Sequence, residues 1–231
     1  MAMRICKDLR GITQLLKPET ATRLINAGKV VKRNRGDVIF HKGEPGDSTM
    51  VILSGTIKIW NITSCGREVI FDFMTPGEIM GEVSIIDGGE RTANATCMSN
   101  AQLFSIPQPE ILQIMMDDPE VLMLFARATT KKLRECTIKI EDDRNSVPMR
   151  IMLSLLRLSE LVGQPKEDGI AIAIPVNQYE LANYVGVSRS NFSKIVSELQ
   201  RIGAVDKTGD ETMTVNEKVL RRQLACVDCA G

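Results

Sequence analysis

The segment GEVSIIDGGERTANA, Gly81 to Ala95, carries the reading of this chain. It places the carboxylate of Glu82 nine residues ahead of the guanidinium of Arg91, with the adjacent glycines Gly88 and Gly89 between them. Adjacent glycines let a chain turn tightly and bring backbone N–H groups close to a ligand. An arginine fork beside such groups suits an anion, because it donates to two oxygens at once. The hydroxyl of Thr92 adds a donor, and a carboxylate such as Glu82 accepts hydrogen bonds from sugar hydroxyls. On these residues alone a plainer reading stays open, in which Glu82 and Arg91 pair with each other.

Outward from this segment, residues Lys29 to Pro107 read as short strands cut by glycine turns. Val38–Phe40, Met50–Leu53, Thr56–Trp60, Val69–Phe73 and Leu103–Ile106 are rich in β-branched and aromatic residues. Gly36, Gly43, Gly46, Gly55, Gly66 and Gly77 fall between them, a spacing that predicts an antiparallel barrel or sandwich. The period changes after Pro119. No glycine and no further proline interrupts the stretch to about Asp143. Leu122, Ala126, Thr129, Leu133, Cys136 and Ile140 recur at alternating steps of four and three, an a/d seam that predicts a helix roughly 37 Å long. Such a stripe packs either on a second copy of the chain or on its own barrel.

A polar break, Asp142 to Ser146, precedes Pro148 and marks a domain boundary. Beyond it the sequence predicts a helix over Met149–Leu161, a polar loop over Gly163–Gly169 and a strand over Ile170–Ile174. Helices follow near Gln178–Tyr184 and Ser188–Arg201. A hairpin joins Ala204–Lys207 to Thr212–Val215 across Gly209 and Asp210. In PVNQYELANYVGVSRSNFSKIVSELQRIGAV, Pro175 to Val205, Gly186 permits a left-handed turn and Ser188 caps the next helix. Phe192, Ile195, Val196 and Leu199 give that helix an inward stripe. Arg189, Ser190, Asn191, Ser193 and Lys194 lie on the opposite face. Two short helices at a sharp angle, the second polar outside, describe a helix-turn-helix.

The cassette Gly81 to Ala95 resembles the phosphate-binding cassette of cyclic-nucleotide-binding domains, with its G-E-x…R-[ST]-A pattern. GDVIFHKGEPGDSTMVILSGTIKIW, Gly36 to Trp60, and FDFMTPGEIMGE, Phe71 to Glu82, resemble the strands of the same β-roll. The Pro175 to Val205 stretch resembles the winged helix-turn-helix of the CRP/FNR regulators. The resemblance implies an α+β chain in three parts: an N-terminal antiparallel β-roll, double-stranded and jelly-roll-like, over residues 1–117; a long dimerisation helix over 118–144; and a C-terminal winged helix-turn-helix over 145–231.

It also implies roles. Glu82 would take the ribose 2′-hydroxyl, Arg91 the cyclic phosphate and Thr92 a bond beside it, with Gly81, Val83 and Ala93 lining the site. KKLRECTIKI, Lys131 to Ile140, is similar to the base-contacting part of the long helix. Thr137 matches a base-contacting hydroxyl. Cys136 replaces a frequent threonine, and Lys132 stands where an arginine often lies near the phosphate. Ser188, Arg189, Ser190, Asn191 and Lys194 would meet DNA. Arg189 would fork onto guanine O6 and N7, and Ser190 replaces the glutamate that follows the reading arginine in the best-known activators. The effector implied is cyclic AMP or cyclic GMP, which share the ribose and phosphate that Glu82 and Arg91 address; cyclic AMP is favoured by family frequency. A ligand gripping both Arg91 and Thr137 would bias the arrangement of the DNA modules. The partners implied are a homodimeric second copy and a palindromic double-stranded DNA operator. RNA polymerase stands as a further candidate.

Composition is consistent with this. The 231 residues carry 29 Lys and Arg against 29 Asp and Glu, so a DNA-binding face must be local. Between Val187 and Arg201, Arg189, Lys194 and Arg201 face Glu198 alone. No apolar run is long enough to span a bilayer, and the first residues lack the apolar core of a signal peptide, so a cytoplasmic location is expected and no membrane partner. Of the six cysteines only Cys226 and Cys229 lie close, in what reads as a loose tail. One C-x-x-C offers two of the four ligands a structural zinc needs, so no metal is expected. The single histidine, His41, reads as a surface or partly packed side chain and leaves no nucleophile–base set for an enzyme. Two alternatives remain: a related regulator that is nucleotide-independent or differently liganded, and a cyclic-nucleotide signalling module without DNA function.

Overall fold

The computed structural model describes residues 16–166, 169–172, 176–207 and 213–228. They form two compact units. One comprises residues up to Asn61 together with Asp72–Cys136, the other Ile62–Phe71 together with residues from Thr137 on.

Up to the end of its long helix the chain holds helix α1 (Pro18–Ala27) and strands β1 (Lys29–Arg33), β2 (Val38–Phe40), β3 (Ser48–Ser54), β4 (Ile57–Ile62), β5 (Glu68–Met74) and β6 (Ile79–Met80). Helix α2 (Glu82–Asp87), strands β7 (Asn94–Cys97) and β8 (Ala101–Pro107), and helices α3 (Gln108–Asp117) and α4 (Pro119–Asp142) follow. Two four-stranded sheets result, in the orders β1-β8-β3-β6 and β2-β7-β4-β5, the antiparallel roll that the strand spacing predicts. Side chains alternate across a strand, and β3 and β8 use both faces. Ile52 and Leu103 join Ile57, Met74 and Ala95 between the sheets. Val51, Phe104 and Ile106 instead meet Leu24 of α1, Ile111 and Ile114 of α3, and Val121 and Phe125 of α4. Sheet β1-β8-β3-β6 is therefore covered by helices on its second face.

Helix α4 ends within a residue of the expected position. Its buried residues are Val121 and Phe125, with Leu124 and Ala128 packed beside them. The predicted a/d seam is a different stripe. Leu122, Ala126 and Cys136 are exposed, Leu133 is 66% and Ile140 63% exposed, and Thr129 is half-buried. The alternative in which this stripe packs on its own barrel is thus corrected, because Val121 and Phe125 already occupy that contact.

The second unit contains α5 (Val147–Val162), β9 (Gly163–Lys166), β10 (Gly169–Ile172), α6 (Gln178–Val185), α7 (Arg189–Arg201), β11 (Val205–Lys207), β12 (Met213–Val215) and α8 (Glu217–Asp228). Its sheet runs β11-β12-β10-β9, all antiparallel, with Val205 opposite Val215 and Ile170 also opposite Val215. Two expectations are corrected. Gly163–Lys166, read as loop, is an edge strand, the position where Pro165 removes no needed ladder bond. Cys226 sits exposed on α8 and not in a loose tail. That helix is anchored by fully buried Leu220, by Ser159 Oγ donating to Glu217 Oε1 at 3.0 Å, and by an Arg221–Glu160 pair at 2.9 Å. Residues 173–174, the Gly209–Asp210 turn and Cys229 lie outside the described residues. Among the described residues no helix is long and apolar enough to cross a membrane, and no group of three His, Cys, Asp or Glu is placed to hold a metal ion.

Candidate functional site

Arg91 enters its site through a backbone clasp. Its N–H donates to Glu44 O at 2.8 Å and its carbonyl accepts from Gly43 N at 2.9 Å, beside the Pro45–Glu90 bridge. The residue is only 4% exposed and its guanidinium lies 4.6 Å from the Phe40 ring centroid, a stacking that guanidinium favours. Nη2 donates to Ser48 O at 2.6 Å and to Asp47 Oδ1 at 3.3 Å. Nη1 donates to Ser84 Oγ at 2.9 Å and to Gly81 O at 3.3 Å. Nε is buried and has no hydrogen-bond partner among the described residues. Burial pulls the Arg91 pKa down from the ordinary guanidinium value, and Asp47, Glu44 and Glu82 push it back up. Buried polar atoms are normally satisfied, so an orphaned N–H on a charged fork marks a place for an acceptor.

Gly81 makes this approach possible. Its φ of +77° is left-handed, and a Cβ there would lie 2.4 Å from Arg91 Nη1. The next residue, Glu82, opens α2 and is 2% exposed. It pairs with Lys132 of α4, whose Nζ reaches both carboxylate oxygens and also donates to Ile79 O at 2.9 Å. Among the residues expected at the site, Gly81 and Arg91 therefore touch, and Glu82 and Lys132 touch. The plainer pairing of Glu82 with Arg91 is absent among the described residues, since each has its own partners. Lys132, expected beside the phosphate, is on the carboxylate. Gly88 closes α2 at φ +70° as expected of a tight turn, but the N–H of Gly89 is used inside the loop, donating to Asp87 Oδ1 at 2.8 Å. Val83 is half-buried, Ala93 buried and Thr92 exposed, with the Thr92 carbonyl accepting from Asn61 Nδ2 at 3.1 Å. Cys136 and Thr137 are exposed on α4.

Ser84, Ser48, Phe40 and Asp47 complete the arginine's surroundings and were not singled out from the sequence. Ser48 and Arg91 are 43 positions apart, and only the meeting of β3 with the cassette brings them together. Chemically the site offers a buried cation with one free donor and a buried carboxylate a short way off. That suits a small anion bearing hydroxyls.

The second candidate site lies on α6 and α7. Asn177 caps α6 reciprocally with Glu180, at 3.0 and 3.1 Å. Gly186 ends α6 in the left-handed region, φ +73°, and Ser188 caps α7 by accepting from Asn191 N at 3.3 Å. Phe192, Val196 and Leu199 are buried against the rest of the unit. Ser188, Arg189, Ser190, Asn191 and Lys194 are all exposed on the outer face. A rigid helix whose first turns present a fork, an ammonium and short polar groups to solvent can enter a major groove.

The chain matches the cyclic nucleotide-binding domain family over residues 30–118 and the Crp-like helix-turn-helix domain family over residues 149–223, together more than half its length. A CRP-like cAMP-activated global transcriptional regulator of Mycobacterium tuberculosis is 28% identical over 214 residues, covering 92% of this chain and 96% of that protein. The cyclic AMP receptor protein of Thermus thermophilus is 27% identical over 196 residues, covering 83% and 85%. A solved CRP/FNR-family transcriptional regulator of Thermus thermophilus superposes with a TM-score of 0.71 at 27% identity, covering 85% of this chain and 98% of that one. Fold, sites and relatives together define a DNA-binding transcription regulator with a cyclic-nucleotide-binding domain, and not an enzyme. The chain belongs to the CRP/FNR family.

Proposed function

We propose that this protein is a cytoplasmic homodimer whose binding of a cyclic purine mononucleotide governs its grip on a palindromic operator. The observation that carries the reading is Arg91, 4% exposed and with Nε unpartnered. A cyclic phosphate supplies the missing acceptor and neutralises the buried charge. Glu82, held by Lys132, accepts from the ribose, Gly81, Val83, Thr92 and Ala93 frame the ring, and Cys136 and Thr137 on α4 serve the side of the base. Cyclic AMP is the effector put forward first, since two relatives bear it in their names. Cyclic GMP shares every group that Glu82 and Arg91 address. On the DNA side, Arg189 and Lys194 read or hold the groove, Ser188 and Asn191 position the helix on phosphates, and Ser190 stands at the base-reading position after Arg189.

Parallel calorimetric titrations with cyclic AMP and cyclic GMP test the effector, and a retardation assay with and without the tighter one tests its effect on DNA. Binding of one nucleotide with a raised DNA affinity is expected. Equal DNA affinity in its presence and absence removes the regulatory part.

One observation favours a second reading, regulation without a nucleotide. The terminal nitrogens of Arg91 already donate to Ser48 O, Ser84 Oγ and Gly81 O. The same titrations decide it, since a protein of this second kind gives no heat with either nucleotide.

A further inference from the structure

The carboxyl end of α4 and the turn before α7 meet on one side chain, Arg150. Its guanidinium pairs with Asp143 Oδ1 at 2.8 Å and donates to the carbonyls of Val185, at 2.8 Å, and Gly186, at 3.2 Å. The side chain is 17% exposed, whereas that of Asp143 is 66% exposed. The two carbonyls belong to the last turn of α6, where unsatisfied acceptors and the negative end of the helix dipole favour a cation. All three acceptors gather around one nitrogen, Nη2, whose two N–H groups they share. A lysine ammonium swings on a flexible stem and is more strongly hydrated, whereas the rigid planar guanidinium holds that nitrogen in a fixed direction. The turn is shaped around it: a Cβ on Gly186 would lie 2.9 Å from Arg150 Nη2. Two residues further on, Ser188 caps α7, so the carbonyls that Arg150 grips fix where α7 begins.

We infer that Arg150 is a positioning residue for DNA recognition, one that sets the pose of α7 and ties it to the end of α4 through Asp143. This rests on the reading of α7 as the DNA-reading helix. Arg150 touches no base and acts through the Val185–Gly186 turn. Losing it loosens the first turn of α7, so base readout through Arg189 suffers while sequence-independent contact with phosphates persists.

The test uses the full-length protein and two probes, a duplex of roughly 20 base pairs selected from a randomised pool by the unchanged protein, and a scrambled duplex of equal length. Failure of the unchanged protein to select any duplex overturns the DNA-binding reading itself and is seen before any variant is made. Arg150→Lys is expected to weaken binding to the selected duplex about tenfold, the scale of losing one or two hydrogen bonds to a charged group, and to leave the scrambled duplex within about twofold. Equal losses on both duplexes, or none on either, overturn the proposal. Should Arg150→Lys fail to fold, Asp143→Asn carries the test from the exposed side of the pair. It is expected to lower the selected-to-scrambled ratio about threefold at an unchanged unfolding midpoint, and an unchanged ratio overturns the tie to α4.

Discussion

Lys132 Nζ stands 2.9 and 2.8 Å from the two oxygens of Glu82, a carboxylate that is almost wholly buried. A lysine is a point charge without the fork that suits a phosphate, and the buried carboxylate is the stronger claim on it. Removing one partner of such a pair leaves the other charged and poorly solvated. Lys132→Ala is therefore expected to destabilise the first unit by about 1.5–3 kcal/mol, read as a lower urea midpoint. Lys132→Arg should keep most of the stability. An unchanged midpoint for the alanine variant would mean that Glu82 is held by other means.

Arg91→Ala should weaken cyclic nucleotide binding by at least ~100-fold in a calorimetric titration, the scale of losing two charge-assisted hydrogen bonds. Arg91→Lys keeps the charge without the fork and should fall between. Retained affinity in the alanine variant refutes the assignment of the phosphate to this side chain. Gly81→Ala reports on the same contact from the backbone side. Its methyl meets Arg91 Nη1 and its φ of +77° suits only glycine without strain, so binding and stability should fall together.

The parts of this architecture that were legible in the sequence are those with a long or unusual pattern. Helix α4 was readable because its 24 residues, opened by Pro119, hold no glycine and no further proline. The α6–α7 pair was readable because Gly186 and Ser188 punctuate two apolar stripes. Short elements were not. Strand β6 has two residues and α2 has six, too few to show a period, and α2 lies inside a segment whose glycines suggest a loop. In β9, Gly-Gln-Pro-Lys has no strand-forming residue and pairs only because β10 offers it an edge. The site shows the same divide. Glu82 and Arg91 are visible in the cassette, whereas Ser48, Phe40 and the Lys132–Glu82 pairing depend on chain crossings that no local spacing encodes.

Acid should strike the first unit at the junction of α3 and α4. Hydrogen bonds from Thr20 Oγ1 and Glu120 N hold the Asp118 carboxyl below the ordinary aspartate value of 3.8, and Arg23 and then Gln113 do the same for Asp117. A carboxyl with a lowered folded-state pKa contributes stability that is present above its unfolded value and lost as the pH falls through the folded one. The unfolding midpoint should thus decline below about pH 4. Asp118→Asn, which cannot titrate, should flatten part of that decline. The same slope in both proteins would place the acid sensitivity elsewhere.

Base readout and phosphate contact on α7 should separate by salt. Arg189→Ala is expected to cost about 1–3 kcal/mol on a selected duplex while changing the salt dependence little, as befits a fork on a base edge. Lys194→Ala, if its ammonium meets a phosphate, should weaken all duplexes alike and reduce the slope of log affinity against log salt by about one. The opposite pattern would exchange the two roles.

The proposed dimer is expected to form through the stripe of α4 that the first unit leaves uncovered. Val121 and Phe125 are spent on its core, while Leu122 and Ile140 stand exposed at the two ends of one a/d seam. Burying a leucine or isoleucine contributes about 1.5–3 kcal/mol, and in a symmetric pair each position counts twice. A charge at such a position is desolvated and faces its own copy across the seam. Ile140→Asp should therefore shift the protein from dimer to monomer in sedimentation equilibrium at micromolar concentration. The unfolding midpoint of the first unit should change little, because Ile140 lies beyond it. DNA affinity should fall with the dimer, since one module alone grips one half-site. A variant that stays dimeric with full DNA affinity would show that the copies meet through some other face.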